Sequence, residues 1–140
     1  MPLNYLAIFI AALTAFILGF LFHGPILGKL WMKLADIHPT GNEKFSDMIP
    51  KLIWNFITNL GTATGLAIIA LLTSGSTYLS LSATTRGAEL GALAWAGFLL
   101  TSSAIEVIWM GRKPSLWIFE ASISLIVMIC MGMIVTTMSV

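Results

Sequence analysis

The sequence predicts an all-α integral membrane bundle of four transmembrane helices, with a short interfacial amphipathic helix after the first span. Three observations predict it. Hydrophobic residues fill 58% of the 140 positions and charged residues only 9%, where a soluble domain carries about a quarter charged. The mean hydropathy of +0.95 is carried by four apolar blocks, each near the ~20 residues that a helix rising about 1.5 Å per residue needs to cross the hydrocarbon core. Polar segments bearing Gly, Pro, Ser and Thr separate the blocks. The length suits one domain over residues 1–140.

The first span runs over about residues 5–22 and stops at His23-Gly24-Pro25, where a titratable side chain meets two helix-interrupting residues and the chain is expected to surface. Its start, Met1-Pro2-Leu3-Asn4, lacks the basic residues of a signal peptide, so the block is read as a mature span. Ile26, Leu27, Leu30, Trp31 and Leu34 then recur at helical spacing while Lys29 and Lys33 stand one turn apart. That is the pattern of a helix lying in the interface with its lysines toward anionic headgroups. Asp36 to Asp47 is polar, carries Pro39 and Gly41, and reads as a solvated turn that completes a cytoplasmic loop over residues 23–47.

The second span, about 48–72, starts near Met48, with Pro50 in a first turn where its missing N–H costs little and Lys51 placed to snorkel. Thr73 to Thr85 is a wet loop on the opposite face. The third span covers about 87–110, with Glu89 in its first turn, where the helix dipole favours an acid. Gly111-Arg112-Lys113-Pro114 places Gly past one helix and Pro at the start of the next, a tight hairpin that makes spans three and four antiparallel neighbours. The fourth span covers about 115–138.

Lys29, Lys33, Lys44, Lys51, Arg112 and Lys113 fall on one face, and only Arg86 on the other. The positive-inside rule assigns the first face to the cytoplasm of a cell inner membrane and both termini to the non-cytoplasmic side. Trp31, Trp54, Trp109 and Trp117 gather near the same face as interfacial anchors, whereas Trp95 lies well away from it.

Composition also removes several function classes. The formal charge of +1 without clustered Lys and Arg leaves no nucleic-acid site. Cys130 is the only cysteine, so an intrachain disulfide or a thiolate cluster is impossible, and it reads as a small buried hydrophobe. The eight methionines read as packing filler. His23 and His38 belong to no spaced metal motif, and no nucleophile–base pair or phosphate-cradling loop appears. No catalytic residue, metal site or cofactor is therefore assigned.

Polar residues inside the spans are more informative. An ionised carboxylate in hydrocarbon costs about 2.5–3.5 kcal/mol, so Glu106 and Glu120 need compensation. Each lies roughly five residues inside its span from the hairpin, about 7–8 Å below the interface. Facing each other, they would share a proton or hold a cation. The simpler reading has each reaching Arg112, Lys113, Lys51 or a nearby Ser or Asn. Asn55 and Asn59 stand one turn apart on span two, with Thr62 continuing the stripe. Ser102 and Ser124 lie one turn from Glu106 and Glu120, an arrangement that would form a polar seam. Glu106, Glu120, Asn55, Asn59 and His23 make up the candidate binding cluster. Gly61-x-x-x-Gly65 and Gly87-x-x-x-Gly91 mark close helix packing.

Asn4-Tyr5-Leu6-Ala7, Gly24-Pro25 with Gly28-Lys29 and Trp31-Met32, and Gly111-Arg112-Lys113-Pro114 before Leu116-Trp117 frame almost the whole chain. On these residues it resembles a family of small bacterial membrane proteins known only as domain of unknown function 1761. The resemblance implies a four-helix membrane domain and no reaction, ligand or catalytic residue. Where such proteins carry an aromatic pair before the turn, this chain has Phe22-His23.

The function expected from these features is a self-associating or complex-associated accessory subunit, docking through small-residue faces of spans two and three. Its partners would then be the lipid bilayer, further copies of itself or a larger membrane complex. An alternative is a small oligomeric transporter or proton- or cation-coupled carrier using Glu106 and Glu120. A second alternative is a lipid-binding or membrane-embedded enzyme subunit acting at the basic face.

Overall fold

The computed structural model describes residues 3–139, so the uncharged Met1-Pro2 start lies outside it. Helix α1 (Tyr5–Leu21) runs into a single π turn (Phe22–Ile26), followed by the short α2 (Gly28–Ala35). Then come α3 (Phe45–Leu72), α4 (Ala83–Ala94), a π segment (Trp95–Leu100), α5 (Thr101–Met110) and α6 (Pro114–Thr137). Four stretches are long and apolar enough to cross a membrane: Tyr5–Ile26, Phe45–Leu72, Ala83–Met110 and Pro114–Thr137. The expected all-α bundle with a short helix after the first span is what the chain forms. The end holding α2 and Gly111 is called the hairpin end below, and the opposite end, with Asn4 and Met138, the terminal end.

Several boundaries differ from the sequence reading for identifiable reasons. Pro25 does not stop the first span at Phe22, because the wider π turn accommodates its ring and Leu27 N–H reaches back five residues to the Phe22 carbonyl at 3.2 Å. Helix α3 begins at Phe45, three residues before the expected start. Pro50 thus sits in the second turn, opposite the Ser46 carbonyl, in a stretch whose residues are all exposed. Helix α4 begins at Ala83, which moves Glu89 out of the first turn. Its carboxylate accepts instead from the Ser80 N–H and hydroxyl, and Arg86 donates to the Ser74, Ser80 and Leu81 carbonyls. The loop between α3 and α4 is pinned by these two charged side chains.

The hairpin forms as read. Gly111 takes a left-handed φ of 67°, Arg112 N–H bonds the Glu106 carbonyl at 3.1 Å, and Pro114 opens α6. At the other end of the bundle, the Asn4 side chain caps α1 through Ala7 N–H at 3.0 Å while its amide donates to the Met138 carbonyl at 2.7 Å. One residue satisfies two helix ends.

Helix α6 is the hub, packing against α4, α1 and α3. Buried Ala11, Ala12 and Ala15 of α1 and Ala63 of α3 let those helices approach Met128, Met131 and Val135 of α6. Gly87 and Gly91 press against the α6 backbone: a Cβ on Gly91 would lie 2.2 Å from the Met128 carbonyl oxygen. Gly61 and Gly65 behave differently, since a Cβ on either meets nothing within 4 Å. Their motif is unused inside this chain. All buried residues of α3 (Ala63, Leu66 and Ala67) belong to its terminal half. At the hairpin end α3 stands away from the bundle, and a gap opens beside it.

Candidate functional site: a cavity at the hairpin end

The gap is a cavity of about 670 Å³ between α1, α3 and α6, with Trp31 of α2 at its mouth. That volume falls in the range of small-molecule sites, about 300–1,000 Å³. Apolar residues such as Phe16, Phe20, Leu99 and Val127 form much of the wall, and His23, Lys51, Asn55, Asn59, Thr62, Glu120 and Ser124 supply polar groups. Four of the five residues expected as a binding cluster therefore line one cavity. Glu106 does not.

Glu106 and Glu120 instead meet across a cation. The Arg112 guanidinium forks, Nη1 donating to Glu106 Oε2 and Nη2 to Glu120 Oε2, as the planar group suits. The left-handed Gly111 turn makes this possible by folding Arg112 back between α5 and α6. Neither Lys113 nor Lys51 takes this role; Lys113 Nζ lies 4.0 Å from Asp36 at the end of α2. Trp31 Nε1 donates to the second Glu120 oxygen at 3.4 Å, so α2 is held over the cavity by both contacts.

His23 sits in the π turn that Pro25 imposes. Its Nδ1 lies 2.9 Å from the Gly19 carbonyl oxygen, which only accepts, so Nδ1 carries the hydrogen and neutral His23 keeps Nε2 as an acceptor. The ring packs edge-on to Trp31 at 5.3 Å and Phe119 at 6.2 Å. On α3, Asn59 Nδ2 donates to Asn55 Oδ1 at 3.0 Å. The Asn55 amide hydrogens and the Asn59 carbonyl oxygen have no protein partner among the described residues. Counting about 1.5 Å per residue, the two amides lie roughly 6 and 12 Å beyond Lys51 along α3.

The expected serine seam takes another form. Ser102 bonds the Phe98 carbonyl of its own helix, and Ser124 accepts from Trp95 Nε1 at 2.9 Å, so neither serine bonds a glutamate. Trp95 opens the π segment, which sequence reading missed, and its indole N–H also reaches the Ala121 carbonyl at 3.0 Å. Thr101, Ser102 and Ser103 hydroxyls donate to the Gly97, Phe98 and Leu100 carbonyls of the π segment. A Thr-Ser-Ser run four residues after a mid-span glycine was the available signal. Both π segments border the cavity, through His23 and Gly24 on one side and Leu99 on the other. Such segments concentrate at functional sites.

Two further features complete the polar map. In the loop outside the spans, Glu43 accepts from Thr40 N–H at 2.7 Å, Thr40 hydroxyl at 3.1 Å and Gly41 N–H at 3.0 Å. The Thr40 backbone bond in particular holds its carboxyl below the usual range. At the terminal end a second cavity of about 460 Å³ lies beside Asn4, Arg86 and Ser139, but the Arg86 guanidinium there is committed to loop carbonyls. Among the described residues no three His, Cys, Asp or Glu side chains converge to hold a metal ion.

A family model described as protein of unknown function (DUF1761) matches residues 6–136 of the chain. No curated protein and no solved structure matches it.

Proposed function

We propose that this chain, which belongs to the DUF1761 family of proteins of unknown function, is an accessory membrane protein that binds a lipid-like amphiphile in the cavity between α1, α3 and α6. The observation that carries this reading is a cavity of about 670 Å³ between apolar spans, with largely apolar walls from α1 and α6 and a row of hydrogen-bonding groups, Lys51, Asn55, Asn59 and Thr62, along α3. An amphiphile matches that division. The six basic residues at the hairpin end favour its placement at the cytoplasmic face of an inner membrane, so the ligand would come from the cytoplasmic leaflet.

The carrier alternative draws less support. Arg112 stands between Glu106 and Glu120 and bonds both, so the acids do not converge on an open site where a coupling cation would sit; its single charge offsets one of the two carboxylates. Self-association has its own supporting observation: the Gly61-x-x-x-Gly65 face of α3 is open, the surface on which a second copy would pack.

Gly19 provides the test. It lines the cavity, and a Cβ there meets nothing within 4 Å, so Gly19→Phe fills the space without moving the backbone. Native mass spectrometry of protein extracted in nanodiscs should show a retained amphiphile in the parent chain and its loss in Gly19→Phe. Identical bound species in both would reject the reading.

A further inference from the structure

We propose that the amphiphile is a quinone-type lipid, a planar, uncharged ring bearing oxygens on an apolar tail. This inference rests on the amphiphile-binding reading above and deepens it. Three properties of the cavity point to this chemistry.

The first is charge. Glu120 shares the Arg112 cation with Glu106, and Lys51, the other charged group on the wall, stands near the helix end, where its long stem reaches the interface. Deeper in, the polar groups are two amides, an imidazole and the hydroxyls of Thr62 and Ser124, which suit an uncharged headgroup. A phosphate there would face the Glu120 carboxylate.

The second is hydrogen bonding. The Asn55 amide N–H groups are unused donors, and His23 Nε2 and the Asn59 carbonyl oxygen are unused acceptors. A quinone carbonyl takes a hydrogen bond from the amide, and a quinol hydroxyl gives one to the imidazole or the carboxamide oxygen. Both oxidation states of the ring find partners on the same wall. Polar atoms left without partners at membrane depth are costly, so this complementarity is a reason for them to be there.

The third is shape. Phe16 and Phe20, one turn apart on α1, and Trp31 at the mouth offer aromatic faces and edges beside these polar groups. Flat rings pack on such walls in offset or edge-on geometry. Below them Leu99, Val127 and Met131 leave an apolar path for a tail.

The test titrates decylubiquinone into the full chain in phosphatidylcholine nanodiscs and follows tryptophan quenching. Binding gives a saturable curve whose midpoint rises about tenfold in Asn55→Leu and in His23→Phe, the loss expected for one hydrogen bond left unmade. Asn55 is exposed on α3, so its replacement removes no packing, and His23→Phe keeps an aromatic ring against Trp31. Linear quenching that is identical in all three proteins means partition into the bilayer alone and overturns the proposal. Saturable binding of dioleoylglycerol without saturable decylubiquinone also overturns it, while leaving the amphiphile reading standing. If neither probe binds and Gly19→Phe changes no retained species, both readings fall.

Discussion

Gly87 of α4 and Gly132 of α6 lie back to back: a Cβ on Gly87 would be 2.3 Å from the Gly132 carbonyl oxygen, and a Cβ on Gly132 would be 2.1 Å from that of Gly87. No side chain separates the two backbones. Thr136 extends the same contact by donating from its hydroxyl to the Ala83 carbonyl at 2.8 Å.

Gly132→Ala should therefore force α4 and α6 apart, with a loss of about 1–3 kcal/mol typical of overpacking. Gly61→Ala should change stability by no more than about 0.5 kcal/mol, because its site is open. Thermal unfolding in detergent distinguishes them. Gly61→Leu, by contrast, should alter the oligomer size seen by light scattering without altering the fold; unchanged size would count against self-association through that face.

Arg112→Gln should destabilise the hairpin end, since it leaves two carboxylates close together with no cation between them. A fully buried pair broken this way costs about 3–5 kcal/mol. Here solvent reaches the group, with side chains 27%, 44% and 31% exposed for Arg112, Glu106 and Glu120. The expected loss is nearer 1–2 kcal/mol. Adding Glu106→Gln and Glu120→Gln should restore most of it, and a triple variant no more stable than Arg112→Gln would show that repulsion is not the cause.

Trp95→Phe removes the indole N–H that bonds both Ala121 and Ser124 and should cost about 0.5–1.5 kcal/mol beyond lost contact area. Ser124→Ala should cost less, because the Ala121 carbonyl still accepts. Comparing their unfolding temperatures checks the order.

The Glu43 loop should be pH-sensitive. Because bonding to the ionised form lowers the folded pKa, the order it brings to Thr40 and Gly41 is full above the ordinary glutamate range and is lost as pH falls through the lowered value. Amide protection factors at Thr40 and Gly41, corrected for intrinsic exchange, should drop on acidification. In Glu43→Ala they should be low throughout; a parent chain with flat protection down to strongly acidic pH would refute the coupling.

Much of the architecture is legible because bilayer crossing leaves few options: apolar length sets the spans, and Gly111 with Pro114 sets the hairpin. Pro25 shows where local rules stop. Its residue type says interruption, yet a single π turn absorbs it, and the His23 ring of that turn packs against Trp31 and Phe119 from other parts of the chain. Glu89 likewise reads as a dipole partner until Ser80 is brought over it by the loop. The site was half visible. Depth along each helix placed His23, Asn55 and Glu120 at one level, but which way each faces is a matter of helix rotation, and that is why Glu106 falls outside the cavity. The cavity itself comes from the divergence of α3, which no residue in α3 announces.

That divergence has a kinetic meaning. Helix α3 is anchored by Ala63, Leu66 and Ala67 at one end and stands off at the other, without substantial contact to α5. Between helices that cross a bilayer this opening would face acyl chains, and the amphiphile proposed above would arrive by lateral diffusion within one leaflet. Occupancy then follows the ligand's mole fraction among neighbouring lipids, and total concentration in the cell is a poor guide to it. On the proposed function, the protein would sample the composition of its own membrane.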